Sequence, residues 1–508
     1  MCRAYGALFL HFFRAPTLTG WANLFRASGA WFSVWCSAPP SHGFGFFEPL
    51  FSQLHPRIEE KPFAVYDARK GVDVKLRIFV VLGLVLGFAQ MISAQQSPAP
   101  EPVIAIKAGH VVDVENGRVL EKQIILLRGK KIAAIGSDLR IPSGAKIMDL
   151  SGKTVLPGLI DCHTHLADGA HDAGGDPTTQ LKKTASQVVL ESVPNARVTL
   201  ESGFTTVRDV GVYRALNDIA LRDAINRGYI VGPRMFVAGA YITITGGAGA
   251  MSGFAPDIKL PWDFNYGEAN SPWEVRQKVR LLVHDGVDHI KVLSTGAVLT
   301  HGSNPNAQEF TLEELQAAVS EANNFGLRVA AHAHAPQGIK NAIRAGVASV
   351  EHATLIDDEG IALAKEHGTY LDMDIYDDEC IQAEGKTGNI PADFLEHDRD
   401  LGEIQRRNFT KAVRAGVKMT FGTDAGVCPY DGAAHQFAFM VKYGMTPMQA
   451  IQAATINAAT LIGKPEEFGS IRAGKFADLV AVDLDPIADI RQLEHVTFVM
   501  KEGVVYKQ

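Results

Sequence analysis

Apolar positions recur along this chain with two different periods, and the change of period divides it. Between Val103 and Leu150 the apolar runs are short. Val103-Ile-Ala-Ile-Lys107, Val111-Val-Asp-Val114 and Gln123-Ile-Ile-Leu-Leu127 alternate or stay continuously apolar, as strands do. Glu115-Asn-Gly117 and Arg128-Gly-Lys-Lys131 separate them with the chemistry of hairpin turns. The same character returns at the far end, where Gly469–Asp483 and Val496–Tyr506 each read as strand-turn-strand. Two β segments at opposite ends of a chain can pair into one small β-sandwich, with the middle inserted as a second domain. This assigns 95–155 and 466–508 to the two parts of the sandwich.

The middle, 156–465, alternates strands with helical patterns, which argues for parallel βαβ units. The expected strands are Thr154–His163, Thr205–Val210, Arg234–Ala238, His289–Leu293, Val329–His332, Ser349–His352, Thr369–Met373 and Met419–Thr423. Phe310–Val319 is one intervening helix, with Thr311 as its N-cap and Glu314 three residues on, a capping box. Eight strands in about 300 residues suit an α/β fold of the (β/α)8 TIM-barrel kind, whose active sites lie at the strand C-termini.

Residues 1–73 break both periods. They are rich in Phe, Trp, Ser and Pro and read as an upstream extension assigned to the chain by a misplaced start. From 74 to 94 a basic Lys75-Leu-Arg77, an apolar run from Ile78 to Ala89 and the small residue Ala94 describe a secretory signal peptide. The run is shorter than the roughly 20 residues of a membrane span. The expectation is export, to the periplasm or beyond, after cleavage near Ala94, with no stable membrane span in the mature form.

Composition narrows the picture modestly. With 46% hydrophobic residues over 508 positions the chain can bury a sizeable core. Its 49 Lys+Arg against 56 Asp+Glu leave a net charge of −7, which gives no reason to expect nucleic acid as a partner. The five cysteines are widely spaced and suggest neither a disulfide framework nor a Cys-x-x-Cys metal site. Cys162 falls between core and site, and alternation turns it away from its histidine neighbours.

The candidate chemistry lies at the ends of the expected strands. His163 and His165 stand two apart, so a strand points both imidazoles the same way, a spacing that can chelate one metal ion. Further candidates end later strands in order: Lys291, His332, His352 and Asp424. Each alone has a bland reading: a snorkelling lysine, a hydrogen-bonded core histidine, an N-capping aspartate. As an ordered set they are harder to treat as accidents.

The order His-x-His, Lys, His, His, Asp resembles the binuclear-metal amidohydrolase superfamily. Lys291-Val-Leu-Ser-Thr-Gly-Ala-Val-Leu-Thr, Ala331-His-Ala-His334, Ser349-Val-Glu-His352 and Phe421-Gly-Thr-Asp424 look like the prolidase-like carboxypeptidase and ochratoxin A amidohydrolase subgroup, and Met445–Ala459 looks like the helix after the last strand in those enzymes. The resemblance implies two divalent metal ions, most simply Zn2+. His163, His165 and Asp424 would hold one, His332 and His352 the other, and Lys291 would bridge both as a CO2-derived carbamate. It implies hydrolysis of an amide next to a C-terminal carboxylate by a hydroxide shared between the metals, with Asp424 shuttling the proton. Substrates would be N-acyl amino acids, Xaa-Pro or similar dipeptides, or ochratoxin A. Candidates to grip the substrate carboxylate are Arg208, Tyr241, His301 and His334, with a structural ion pair as the alternative role for Arg208. Ala248, in the loop Thr245-Gly-Gly-Ala-Gly249, stands where many relatives carry histidine. Homo-oligomerisation is a further implication. The competing readings are a deaminase or imidazolonepropionase-like hydrolase of cyclic amides, and a non-enzymatic relative.

Overall fold

The computed structural model describes residues 102–168, 179–388, 390 and 392–508. The expected extension at 1–73 and signal peptide at 74–94 lie outside the described residues. Among the described residues no helix is long and apolar enough to cross a membrane.

The two ends of the chain meet in one seven-stranded sheet. In chain order its strands are β1 (Val103–Asp113), β2 (Arg118–Arg128), β3 (Lys131–Gly136), β4 (Lys146–Pro157), β14 (Leu479–Val482), β15 (Phe498–Lys501) and β16 (Val504–Lys507), and their spatial order is β16-β15-β14-β4-β1-β2-β3. The join is made by β4, which runs parallel to β1 and antiparallel to β14, with Leu479 opposite Pro157. Alternate inward residues build its apolar core, among them Ile106, Ile125, Leu127, Val155, Phe498 and Met500. Of the expected Gly469–Asp483 strand pair only Leu479–Val482 is a strand; the stretch before it is turns.

The middle of the chain supplies parallel strands with helices between them. One sheet holds β5 (Leu159–Thr164), β6 (Phe204–Asp209) and β7 (Arg234–Val237). The other runs β13-β12-β11-β10-β9-β8: β8 (Tyr241–Ile242), β9 (Ile290–Leu293), β10 (Val329–Ala333), β11 (Ser349–His352), β12 (Tyr370–Asp372) and β13 (Met419–Thr420). Hydrogen bonds join these two sheets. On one side Cys162 N donates to Phe421 O at 2.8 Å and His165 N to Ala425 O at 2.7 Å; on the other Asp288 N donates to Val237 O at 2.8 Å. The helix expected at Phe310–Val319 spans Leu312–Asn324, and its Thr311–Glu314 capping box is present in both directions.

One expected strand is in fact two. Thr154–His163 breaks at Gly158, whose flanks belong to different sheets. A Cβ at Gly158 would lie 2.1 Å from the Thr205 hydroxyl, so only glycine lets the chain pass from the end sheet into β5. The transition therefore falls just upstream of His163, and the end sheet anchors the strand that carries it.

Candidate active site

Six of the expected residues come together at the C-terminal ends of the parallel strands. His163 is the penultimate residue of β5, and His165 directly follows the strand. His163 Nε2 lies 3.3 Å from Asp424 Oδ1, and His165 Nε2 lies 3.1 Å from the same oxygen. His165 Nδ1 is 2.8 Å from the Gly211 carbonyl, an acceptor, so that nitrogen carries the ring proton. The Nε2 lone pair then faces a carboxylate oxygen, an arrangement that a cation between them would satisfy. His163 is pushed up to about 10: burial and Lys291 oppose its charge, but Asp424 and Glu351 outweigh them. Burial would raise Asp424, yet His163 and His165 hold it well below the usual carboxylate range, so it is ionised.

Across the same cavity stand three more rings. His332, His334 and His352 have centroids 4.5–4.8 Å apart, and their ligand atoms lie within 4.8 Å of one another. Each is turned by a partner on one nitrogen. His352 Nδ1 meets Asp374 Oδ2 at 2.7 Å, His334 Nδ1 meets Thr354 Oγ1 at 2.8 Å, and His332 Nε2 meets the Gly296 carbonyl at 3.2 Å. Burial drives His332 well below its ordinary value and His334 down to about 3, helped by His352. Neutral imidazoles with free lone pairs are the protonation state a metal needs. His163, His352 and Asp424 also offer atoms within 4.8 Å of one another, which links the two halves of the site. Lys291 lines the cavity between them, its ammonium pulled down to about 8 chiefly by burial. The donor set thus fits divalent cations on chemistry and on geometry.

Two of these residues sit in strained backbone. His352 has φ 64° and Asp424 φ 52°, the left-handed region that non-glycine residues avoid. Ser349 and Glu351 share one face of β11, so regular alternation would turn His352 away from them; the reversed φ re-aims it.

Residues 154–506 match the Amidohydrolase family. This chain is an amidohydrolase. Its similarity to ochratoxinase from Aspergillus niger reaches 31% identity, covering 80% of this chain and 87% of that protein. A crystal structure of a Xaa-Pro dipeptidase with bound methionine in its active site is 38% identical with a TM-score of 0.75, over 80% of this chain and all of that one. Imidazolonepropionase from Streptococcus gordonii is 27% identical over 73% of this chain and 86% of its own length. The amidohydrolase therefore belongs with the prolidase and ochratoxinase group and hydrolyses C–N bonds.

The candidate substrate contacts divide. Tyr241, His301 and His334 line a cavity of about 250 Å³ together with the six residues above. The Tyr241 hydroxyl is 3.1 Å from His165 Nδ1, and His301 packs on Phe394 with centroids 4.7 Å apart. Arg208 does not reach the cavity. It is buried, its Nη2 donating to both Glu351 oxygens at 2.9 and 2.8 Å, its Nε to the Cys162 carbonyl at 2.6 Å and its Nη1 to Ser349 Oγ at 2.8 Å. All three of its nitrogens are held by these buried partners, so the structural ion pair is its role. Ala248 lines the cavity beside Tyr241 and Leu293, and its N–H donates to Glu309.

Sequence reasoning missed three features of this amidohydrolase. Asp374, which turns His352, follows Asp372 at strand spacing and could have been found that way. Glu351 was read only as a neighbour of His352. Cys380 and Cys428 form a disulfide between the helix Asp377–Thr387 and the loop after Asp424, across 48 residues, a separation that gives no local signal.

Proposed function

We propose that this amidohydrolase cleaves amide bonds next to a free C-terminal carboxylate: N-acyl amino acids, Xaa-Pro or similar dipeptides, or ochratoxin A to ochratoxin alpha and phenylalanine. The observation that carries the reading is the convergence of His163, His165, Lys291, His332, His352 and Asp424 on one buried cavity at the strand ends. The sheet-to-sheet hydrogen bonds on both sides support one closed (β/α)8 barrel, with the end sheet as its small β-sandwich companion.

His163, His165 and Asp424 would hold one divalent ion, most simply zinc, and His332 and His352 a second. Both rings keep one nitrogen free, Nδ1 of His332 and Nε2 of His334; His332 is preferred because the interval from His332 to His352 matches the family pattern, and His334 remains for the substrate. Lys291 would span both as a carbamate, and burial favours the neutral amine that adds to CO2. When bound, the ions supply Lewis acidity that lowers the pKa of water towards about 7 and polarises a carbonyl. Asp424, ionised at rest, accepts the proton of the attacking water and returns it to the leaving nitrogen, a shuttle worth roughly 10²–10⁴ in rate. Lys291 and Asp424 are thus the groups nearest the chemistry. His334, His301 and Tyr241 are the candidates to orient the substrate carboxylate.

The Cys380–Cys428 disulfide supports export to an oxidising compartment, periplasmic or secreted. A mature N-terminus near Gln95 in a periplasmic or culture-fluid fraction would agree; retention of residues 1–94 would sink the idea. Homo-oligomerisation is likewise proposed, and light scattering at the monomer mass would count against it.

The substrate test is a paired panel offered to the zinc-loaded chain. N-acyl amino acids, Xaa-Pro dipeptides and ochratoxin A are each presented with the carboxylate free or amidated. Cleavage of free acids alone supports the reading. Equal cleavage of blocked forms contradicts it and favours the second reading, a cyclic-amide hydrolase, which the similarity to imidazolonepropionase brings forward.

A further inference from the structure

Beneath the cavity floor lies an ion pair that the proposed mechanism leaves unused. Arg208 rises from β6, and its donors tie three strands together: Cys162 on β5 through its carbonyl, and Ser349 and Glu351 on β11 through their side chains. Glu351 is fully buried, and besides the guanidinium it accepts the Ser349 hydroxyl. Its remaining contact is with the site. Glu351 Oε2 lies 3.2 Å from His163 Nδ1, while the other nitrogen of that ring faces Asp424 at 3.3 Å. The contact is one of charge and proximity rather than a well-aligned hydrogen bond: among the described residues His163 Nδ1 has no hydrogen-bond partner.

We propose that Glu351 is a positioning residue for His163, and that Arg208 fixes Glu351 for that task. When a cation displaces the Nε2 proton, a carboxylate 3.2 Å from Nδ1 favours keeping the remaining ring proton there, with Nε2 facing the Asp424 side of the cavity. Outer carboxylates of this kind set both the tautomer and the basicity of an imidazole ligand. Arg208 makes the arrangement sustainable. Without its charge Glu351 would be a buried anion next to Asp372, whose Oδ2 is already 3.8 Å from the guanidinium. The pair also explains the placement of two site elements at once. Cys162 immediately precedes His163 and Glu351 immediately precedes His352, so one buried contact sets the height of both strands relative to each other.

This inference rests on the reading that His163 and Asp424 hold a metal ion. Its test is the zinc affinity of the whole chain, measured by competition with a chromogenic chelator, with the melting temperature of the metal-free protein measured alongside. Glu351→Gln keeps the shape and the hydrogen-bonding capacity and removes the charge. It should weaken zinc binding about 10–100-fold. The double variant Arg208→Met, Glu351→Met removes both buried charges together. It should regain much of the metal-free stability lost by either single change, yet stay as weak in zinc binding as Glu351→Gln.

Zinc binding by Glu351→Gln within twofold of wild type would overturn the proposal. So would a double variant that binds zinc like wild type, because the pair would then be structural only. If the double variant fails to fold, Glu351→Gln decides alone. Asp424→Asn separates the two failures. Should wild type bind two zinc ions and Asp424→Asn bind weakly while Glu351→Gln is unaffected, only the positioning role falls. Should Asp424→Asn bind zinc as tightly as wild type, or wild type bind none, the metal reading falls and the positioning role with it.

Discussion

The strand-end cavity and the seven-stranded end sheet are built on opposite physical terms. The end sheet is built chiefly on alternating residues around an apolar core of Ile106, Ile125, Leu127 and Phe498. The cavity buries Lys291, Asp424 and a cluster of histidines, and holds His352 and Asp424 at positive φ. Burial of this kind costs stability unless the groups are paired, and strained backbone adds about 1–3 kcal/mol per residue. One region therefore supplies stability and the other spends it on chemistry. Gly158 marks the boundary, four residues upstream of Cys162.

The sharpest way to break this contrast is to change the cavity and look for a loss of stability. His163→Ala or Asp424→Asn should reduce turnover by roughly three orders of magnitude or more, given the combined losses of metal and proton shuttle. The metal-free melting temperature should hold or rise. An unchanged rate in either variant would remove the mechanism. Lys291→Ala should lose both metal and activity, and short carboxylic acids should restore part of each; full metal content in that variant would rule out the carbamate.

The reverse experiment is Phe498→Ala in the end sheet. It should cost about 3–5 kcal/mol of stability, while kcat per folded molecule stays at the wild-type value. A matching fall in kcat would show that the two regions are not separable.

A smaller effect sharpens the border between them. Glu309 accepts from the Ala248 N–H under the glycine-rich loop, and burial pushes its carboxyl up to about 7 against the lowering effect of that bond and of Ser303. Its folded value lies above the unfolded one. Between the two the unfolded chain is ionised and the folded one still protonated, so stability falls as pH rises through that window. Glu309→Gln should therefore gain in melting temperature relative to wild type between pH 5 and pH 8. A difference that does not change with pH would contradict the assignment.

Much of this contrast could be read from the sequence, because it is written in local periods. The apolar alternation of Val103–Lys107, the capping box at Thr311 and Glu314, and the two-residue step from His163 to His165 all lie within one turn or one strand. Long-range pairings were less legible. Arg208 was a candidate for the substrate carboxylate because nothing near it in the chain announced Glu351, which lies 143 residues on. The disulfide and the switch of sheets at Gly158 were hidden for the same reason, since each depends on what approaches from elsewhere in the fold. Asp374 is different: its spacing from Asp372 was visible, but its partner His352 was needed to give it meaning.

The central claim is that these six side chains form one two-metal site. Anomalous scattering at the zinc edge from crystals of the zinc-loaded chain tests it most directly. The account predicts two peaks in the cavity, one beside His163, His165 and Asp424 and one beside His332 and His352, with Lys291 between them. A single peak ligated by His332, His334 and His352, or none among these residues, would contradict it.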